Sequence, residues 1–312
     1  MPTKIQWATD SWNPITGCSK ISDGCKNCYA ERMAKRLAGR YGYPKDNPFK
    51  PGTIHADKIQ HPPKWGGGGK KIFVCSMGDL FHDDVPTYKT FGTIFDAAYM
   101  SGYGKFMVPR KPDYYLFLTK RPENMLKIVN YYLQRYGGSM PENCWFGVTA
   151  ENQEQADKRI PTLLQIPAAV RFVSVEPMLG SISILKWAER NRESDDTSDI
   201  MIPGLHWVIC GGETGPGARP MHPDWVRSLR DQCQAAGVPF FFKQWGEWIT
   251  ASFSNGHYDQ DMGRNNAFWV DYQGVMHKPS SNGLKNPIAM FKVGKKSAGR
   301  LLDGREWSEY PK

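Results

Sequence analysis

The sequence predicts an α/β protein: a parallel (β/α) barrel, partial or complete, of six to seven units, with a small β-containing C-terminal appendage. Three observations predict it. Short β-rich runs recur, and each is followed by a polar turn and a helix-like stretch, the pattern of a parallel sheet. The runs are nearly continuous in apolar residues instead of alternating, as expected of strands buried on both faces. After about residue 245 the alternation stops. An open doubly wound sheet is the alternative arrangement of the same pattern.

The predicted strands are "KIFVCS" (71–76), "YYLFLT" (114–119), "CWFGVT" (144–149), "RFVSVE" (171–176), "HWVICG" (206–211) and "PFFFKQ" (239–244). A weaker run, "IQWA" (5–8), precedes them. Helices are predicted over 29–39, 87–101, 122–136, 151–165 and 222–236. In the last of these Trp225, Leu229 and Cys233 are spaced four apart, Pro223 stands near the start and Gly237 follows the end.

Two insertions interrupt the alternation: a Pro- and Gly-rich loop over 41–70, and a polar segment over 188–204. The expected organisation is a barrel over 1–245, carrying a cysteine-rich loop and the 41–70 insertion. A β-containing appendage or lid covers 246–312, with strand-like runs "AFWVDY" and "IAMFKV".

Hydrophobic residues make up 40% of the 312 and aromatics 13%, enough for a sizeable core, which excludes wholesale disorder. No apolar stretch is long enough to span a membrane, and the N-terminus lacks a signal pattern, so a cytoplasmic protein with no membrane partner is expected. The seven cysteines are an odd number, which argues for thiols with metal-binding, catalytic or core roles over a disulfide framework. The net charge of +9 favours a polyanionic partner, nucleic acid (DNA or RNA). Oligomeric state is not legible.

In a (β/α) fold chemistry sits on the loops after the C-terminal ends of the strands. Those loops carry Gly78, Asp79 and His82; Lys120 and Arg121; Thr149, Glu151 and Asn152; Glu176; Gly211, Gly212, Glu213 and Arg219; and Lys243. Helix capping accounts for some of the acidic and polar residues. It does not account for Lys120, Arg121 and Lys243, because a cation near a helix N-terminus opposes the dipole, so an anionic ligand is expected there.

The sharpest signal is "GCSKISDGCKNCYAE", which puts Cys18, Cys25 and Cys28 in one glycine-containing loop. Three such thiolates can converge on one metal centre. Zinc would need a fourth ligand, with His55, His61 or a cysteine elsewhere as candidates. A 4Fe–4S cluster held by three cysteines leaves one iron open. Cys75, Cys144 and Cys233 read as core thiols.

A three-cysteine loop after the first strand of such a barrel resembles the radical S-adenosylmethionine superfamily, although the spacing here is C-x6-C-x2-C and Asn27 precedes the third cysteine. More closely, "SMGDLFHDDVP", "FLTKRPENM", "WFGVTAENQEQADKRIP" and "ICGGETGPGARPMHPDWVRSLRDQC" resemble a phage and prophage family of three-Cys-motif proteins. The resemblance implies a 4Fe–4S cluster on Cys18, Cys25 and Cys28, with S-adenosylmethionine chelated at the fourth iron and an external electron donor. It implies that Gly78 and Asp79 face the cofactor ammonium and Lys120 or Arg121 its carboxylate. Thr149, Glu151 or Asn152 would hold the ribose, and the Gly211–Gly212–Glu213 loop would lie near the adenine, with Glu176 also in the site. Cys210 and Lys243 are candidate catalytic residues, Cys210 as a hydrogen donor. The implied reaction is hydrogen abstraction by a 5′-deoxyadenosyl radical, on nucleic acid by the charge and the aromatic content. A peptide or small metabolite is the alternative substrate, and a zinc-stabilised nucleic-acid-binding protein the alternative without catalysis.

Overall fold

The computed structural model describes residues 2–60, 68–85, 88–101, 111–137, 139–188, 204–250, 268–277 and 287–312. Its elements follow the chain as β1 (Asp10–Trp12), β2 (Ile15–Thr16), α1 (Tyr29–Arg36), β3 (Thr53–Ile54), α2 (Ala56–Gln60), β4 (Lys71–Val74), α3 (Tyr88–Met100), β5 (Tyr114–Thr119) and α4 (Pro122–Tyr136). Then come β6 (Cys144–Thr149), α5 (Gln153–Leu164), β7 (Val170–Val175), α6 (Leu185–Ala188), β8 (Trp207–Gly211), α7 (Pro223–Ala235) and β9 (Phe240–Gln244). The last are β10 (Trp248–Thr250), β11 (Phe268–Val270), β12 (Met276–His277), β13 (Ile288–Lys292) and α8 (Lys295–Ala298).

Seven strands lie side by side in the order β1-β4-β5-β6-β7-β8-β9. The pairs β1/β4, β4/β5, β5/β6 and β8/β9 run parallel. Each later strand is added to the same edge, whereas a doubly wound sheet reverses direction at a switch point. The fold is therefore a partial (β/α) barrel with a small C-terminal antiparallel sheet, and the doubly wound alternative is excluded.

The chain divides into two compact units, Met1–Thr149 with Lys158–Phe172, and Ala150–Asp157 with Val173–Lys312. In the first, all six residues of β6 are buried, as the uninterrupted apolar run predicts. Phe117 and Phe146 stack at 5.1 Å, and Phe95 of α3 meets both edge-on. Gly147 leaves room for the Phe172 ring, which a Cβ would approach to 2.5 Å.

In the second unit α7 turns Trp225, Leu229 and Cys233 into the core. His222 caps it by accepting from the Asp224 N–H, with Pro223 in the first turn and Gly237 at positive φ after the end. The appendage strands form a four-stranded sheet, β10-β13-β11-β12, around Trp248, Val270 and Met290. The chain end then runs antiparallel along β9, through Phe242 N–H to Trp307 carbonyl and Glu309 N–H to Phe240 carbonyl. That shields what would be an open strand edge.

Two local expectations change. "IQWA" is a turn closed by Ala8 N–H on the Ile5 carbonyl, and the first strand is Asp10–Trp12. Trp7 is buried against Phe73, at 4.7 Å, so its hydrophobicity fills core instead of marking a strand. The 41–70 insertion is partly regular: β3 pairs antiparallel with β2 and continues into α2, with 61–67 outside the described residues. Most of the polar 188–204 segment, and the start of the "AFWVDY" run, also lie outside the described residues.

Candidate metal centre

The cysteine loop begins where β2 ends and is fixed to the loop after β4. Asn13 Oδ1 accepts from Ser76 Oγ and from the Met77 N–H, both at 3.1 Å. Gly17 N–H donates to the Met77 carbonyl, and Asp79 N–H donates to the Gly17 carbonyl. A Cβ on Gly78 would lie within 2.7–2.9 Å of Gly17 and Thr16 backbone atoms, so the close approach Gly78 permits is to the cysteine loop itself.

Cys18 follows Gly17, Cys25 closes the short 3-10 turn Asp23–Cys25, and Cys28 is the N-cap of α1. All three are half-buried thiols and line one open pocket of about 270 Å3, together with Lys20, Glu31 and Phe49 among others. The lining contains no fourth thiol and no imidazole. Its one carboxylate, Glu31, is held by Lys20 at 3.2 Å and Lys35 at 2.8 Å. His55, a candidate fourth zinc ligand, is instead bonded through Nε2 to Thr16 Oγ1 at 2.9 Å, and His61 lies outside the described residues. Among the described residues no group of three or more His, Cys, Asp or Glu stands at metal-holding geometry. The donor set is three soft thiols on one pocket, which fits a 4Fe–4S cluster with one iron left for a non-protein ligand.

Behind Cys18 lies a buried charge network. Arg121, the N-cap of α4, donates from one terminal nitrogen to Asp79 Oδ2 at 3.0 Å and to Cys18 Sγ at 3.4 Å. The other reaches the Ser19 carbonyl and hydroxyl at 3.2 and 2.9 Å. Asp79 also accepts from Thr119 Oγ1 at both oxygens, 2.8 and 2.9 Å, and from the Phe81 N–H. Arg121 is 8% exposed and Asp79 5%. The anion that Arg121 meets is therefore this chain's own carboxylate. Removing the cation with Arg121→Met is expected to cost about 3–5 kcal/mol, because it leaves Asp79 buried and unpaired. Asp79→Asn/Arg121→Met should recover part of that loss, read as urea midpoints.

The thiols differ in acidity. Burial pushes Cys18 up to about 11, Asp79 adds to this, and Arg121 opposes it. For Cys25 burial also acts upward, but the Lys120 ammonium, the Ile21 and Ser22 backbone and the Ser22 hydroxyl outweigh it and hold the thiol below its ordinary value. A lower thiol pKa means more thiolate at neutral pH. Iodoacetamide near pH 7.5 should therefore alkylate Cys25 of the metal-free protein before Cys18, as read by peptide mass spectrometry.

Ser19, Thr119, Asn13 and Tyr29 are residues that sequence reasoning missed. Tyr29 donates its hydroxyl to the Ser76 carbonyl, tying α1 to the β4 loop. Thr119 is the one hydroxyl closing the apolar run of β5, a signal that was present.

The remaining candidates are not among the residues that line the thiol pocket. Thr149 ends β6, buried, with its carbonyl accepting from Arg159 at 2.8 Å. In the second unit Glu151 is fully buried, and Asn152 Oδ1 accepts from the Gln155 N–H as a helix cap. Glu176 and Lys243 pair at 2.6 Å, beside Gly211. Lys243 stands within β9, and the anion it meets is Glu176. Cys210 is fully buried with its sulfur 3.6 Å from Met178 Sδ, its acidity suppressed by burial and by Glu176. Glu213 accepts three bonds from Arg219, at 2.7–2.9 Å. A Cβ on Gly212 would lie 1.9 Å from the Trp245 carbonyl oxygen. The Gly-Gly-Glu sequence is thus explained by tight local packing of its loop.

Fold and site together define a class: an α/β partial barrel whose first loop presents three thiols to one pocket. The chain belongs to the family described as "Protein of unknown function (DUF5131)", matched over residues 2–311. No curated protein matches. Among solved structures, a mutant of spore photoproduct lyase is similar, with 12% identity and a TM-score of 0.37, over 91% of this chain and 69% of that one. No helix among the described residues is long and apolar enough to cross a membrane.

Proposed function

We propose that this protein is a radical S-adenosylmethionine enzyme with a 4Fe–4S cluster on Cys18, Cys25 and Cys28, acting on nucleic acid. The observation that carries the reading is that three thiols of one loop line one pocket whose lining offers no fourth thiol or imidazole. A cluster and S-adenosylmethionine bound there would supply a 5′-deoxyadenosyl radical for hydrogen abstraction. The chain's own residues hold the loop. Gly17 and Gly78 set its backbone against the β4 loop, and Arg121 braces Cys18 from behind. Because Arg121 is engaged by Asp79, Ser19 and Cys18, Lys120 is the cation assigned to the cofactor carboxylate.

Nucleic acid is favoured over a peptide or small metabolite by the net charge of +9. The cytoplasm suits seven free thiols, and an external electron donor is required. The test is to reduce the anaerobically purified protein with dithionite in the presence of S-adenosylmethionine and to follow 5′-deoxyadenosine by chromatography. The reading expects it to form, and to form faster with oligonucleotide present. None formed by iron-loaded protein would overturn the reading. Formation accelerated by a peptide and not by an oligonucleotide would overturn the substrate class.

A further inference from the structure

The thiol pocket is lined from a basic stretch of the chain. Residues 20–50 hold eight Lys and Arg against three Asp and Glu, an excess of five within a whole-chain excess of nine. Glu31 answers Lys20 and Lys35. Lys26, Arg36, Arg40, Lys45 and Lys50 are exposed, and no carboxylate pairs with them among the described residues. Their placement follows the pocket. Lys26 stands between Cys25 and Cys28, and Lys50 stands between Phe49 and Pro51, all four flanking residues being pocket lining. Arg36 shares the outer side of α1 with Met33, its guanidinium 3.9 Å from Met33 Sδ, and Arg40 donates to the Arg36 carbonyl. Lys45 lies against Gly39 in the turn that follows.

Two tyrosines on this surface lack a packing explanation for their exposure. Tyr29 is 45% exposed although its hydroxyl is anchored on Ser76, so its ring is held at the pocket end of α1. Tyr41 is 76% exposed and has φ +53, a region that bulky side chains rarely adopt. Its turn is closed by Tyr43 N–H on the Arg40 carbonyl and Gly39 N–H on the Tyr43 carbonyl, with Tyr43 buried, and this holds the Tyr41 backbone at the surface. Exposed aromatic rings among cations that no carboxylate answers are the arrangement on which single-stranded nucleic acid binds, phosphates on the cations and bases on the rings.

We infer that the outer side of α1 and the 39–50 turn form the docking surface for a single-stranded nucleic acid, whose backbone runs over Arg36, Arg40 and Lys45 toward the thiol pocket with a base stacked on Tyr41. The inference rests on the nucleic-acid reading of the same site. It is tested by fluorescence anisotropy of a labelled oligothymidylate against full-length protein across a salt series. Arg36→Gln/Arg40→Gln/Lys45→Gln should weaken binding at least about tenfold and flatten the slope of log affinity against log salt by about 2, at roughly 0.7 per lost single-strand phosphate contact. Tyr41→Ala should weaken binding about fivefold or more with the salt slope unchanged, since stacking is not ionic. Circular dichroism and iron content should match the parent in both variants.

Unchanged affinity and slope in the triple variant would overturn this location. So would loss of binding on Lys295→Gln/Lys296→Gln in the other unit with none in the triple variant. Both results would leave the nucleic-acid reading standing. Absence of any binding by the parent protein at low salt, to oligothymidylate, oligouridylate or a DNA duplex, would overturn both. Binding of the duplex alone would overturn the single-strand assignment.

Discussion

Cys25→Ser is expected to abolish loading of the proposed cluster while leaving the protein folded. Three thiolates are the minimum that hold a cluster with one open iron, and a serine hydroxyl is a hard, weakly acidic donor that does not substitute for a soft sulfur. Iron should fall from about four per chain to below about one. Formation of 5′-deoxyadenosine should fall by about a thousandfold or to the background. The cost to stability is expected to stay below about 1 kcal/mol, because Cys25 is half-buried at the end of a 3-10 turn and its contact with the Ser22 hydroxyl is long, at 3.9 Å. Iron loss at an unchanged thermal midpoint separates a ligand from a core residue. Cys144→Ser is the contrasting control: fully buried in β6, it should lower stability and leave the iron count of the folded fraction unchanged.

Gly17→Ala is expected to cost the folded state as much as removing the Arg121 cation. Gly17 has φ +86, and a Cβ there would lie 1.8 Å from the Lys50 carbonyl oxygen, a rigid backbone atom. Left-handed strain alone costs about 1–3 kcal/mol for a residue with a side chain. Displacing the 49–51 segment adds to this, for a total of about 3–5 kcal/mol. That segment carries Phe49 and Pro51, and Cys18 N–H bonds to the Phe49 carbonyl, so the change also breaks up the pocket wall. Denaturant unfolding of the metal-free protein should show the loss without reference to any cluster. Gly237→Ala, just after α7, checks the reasoning: φ is +65 but a Cβ meets nothing within 4 Å, so only the conformational strain of about 1–3 kcal/mol should be felt.

The strands that sequence reasoning found best are those buried over all or most of their length. Tyr114–Thr119 and Cys144–Thr149 end where the apolar runs end. Asp10–Trp12 was missed because it is three residues long and holds a buried aspartate and a serine, so it has no apolar run to detect. The β2–β3 pair brings Ile15 to Ile54 across the Pro- and Gly-rich insertion, a long-range pairing that no local pattern encodes.

The site divides in the same way. That the three thiols share one pocket follows from their close spacing in a single loop. The role of Arg121 was not legible, because its partner Asp79 lies 42 residues earlier and meets it only once β4 and β5 are neighbours. The cation beside a helix start was a real signal, and the anion answering it is internal. Glu213 has a partner close in sequence: Arg219, six residues later, donates to its carboxylate.

The central claim is that Cys18, Cys25 and Cys28 hold an iron–sulfur cluster, and metal and sulfide analysis of the anaerobically purified full chain tests it most directly. The account predicts about four iron and four acid-labile sulfides per chain, with broad visible absorption that bleaches on reduction and is lost in Cys25→Ser. Stoichiometric zinc without iron or sulfide, still bound after anaerobic reconstitution with iron and sulfide, would contradict it.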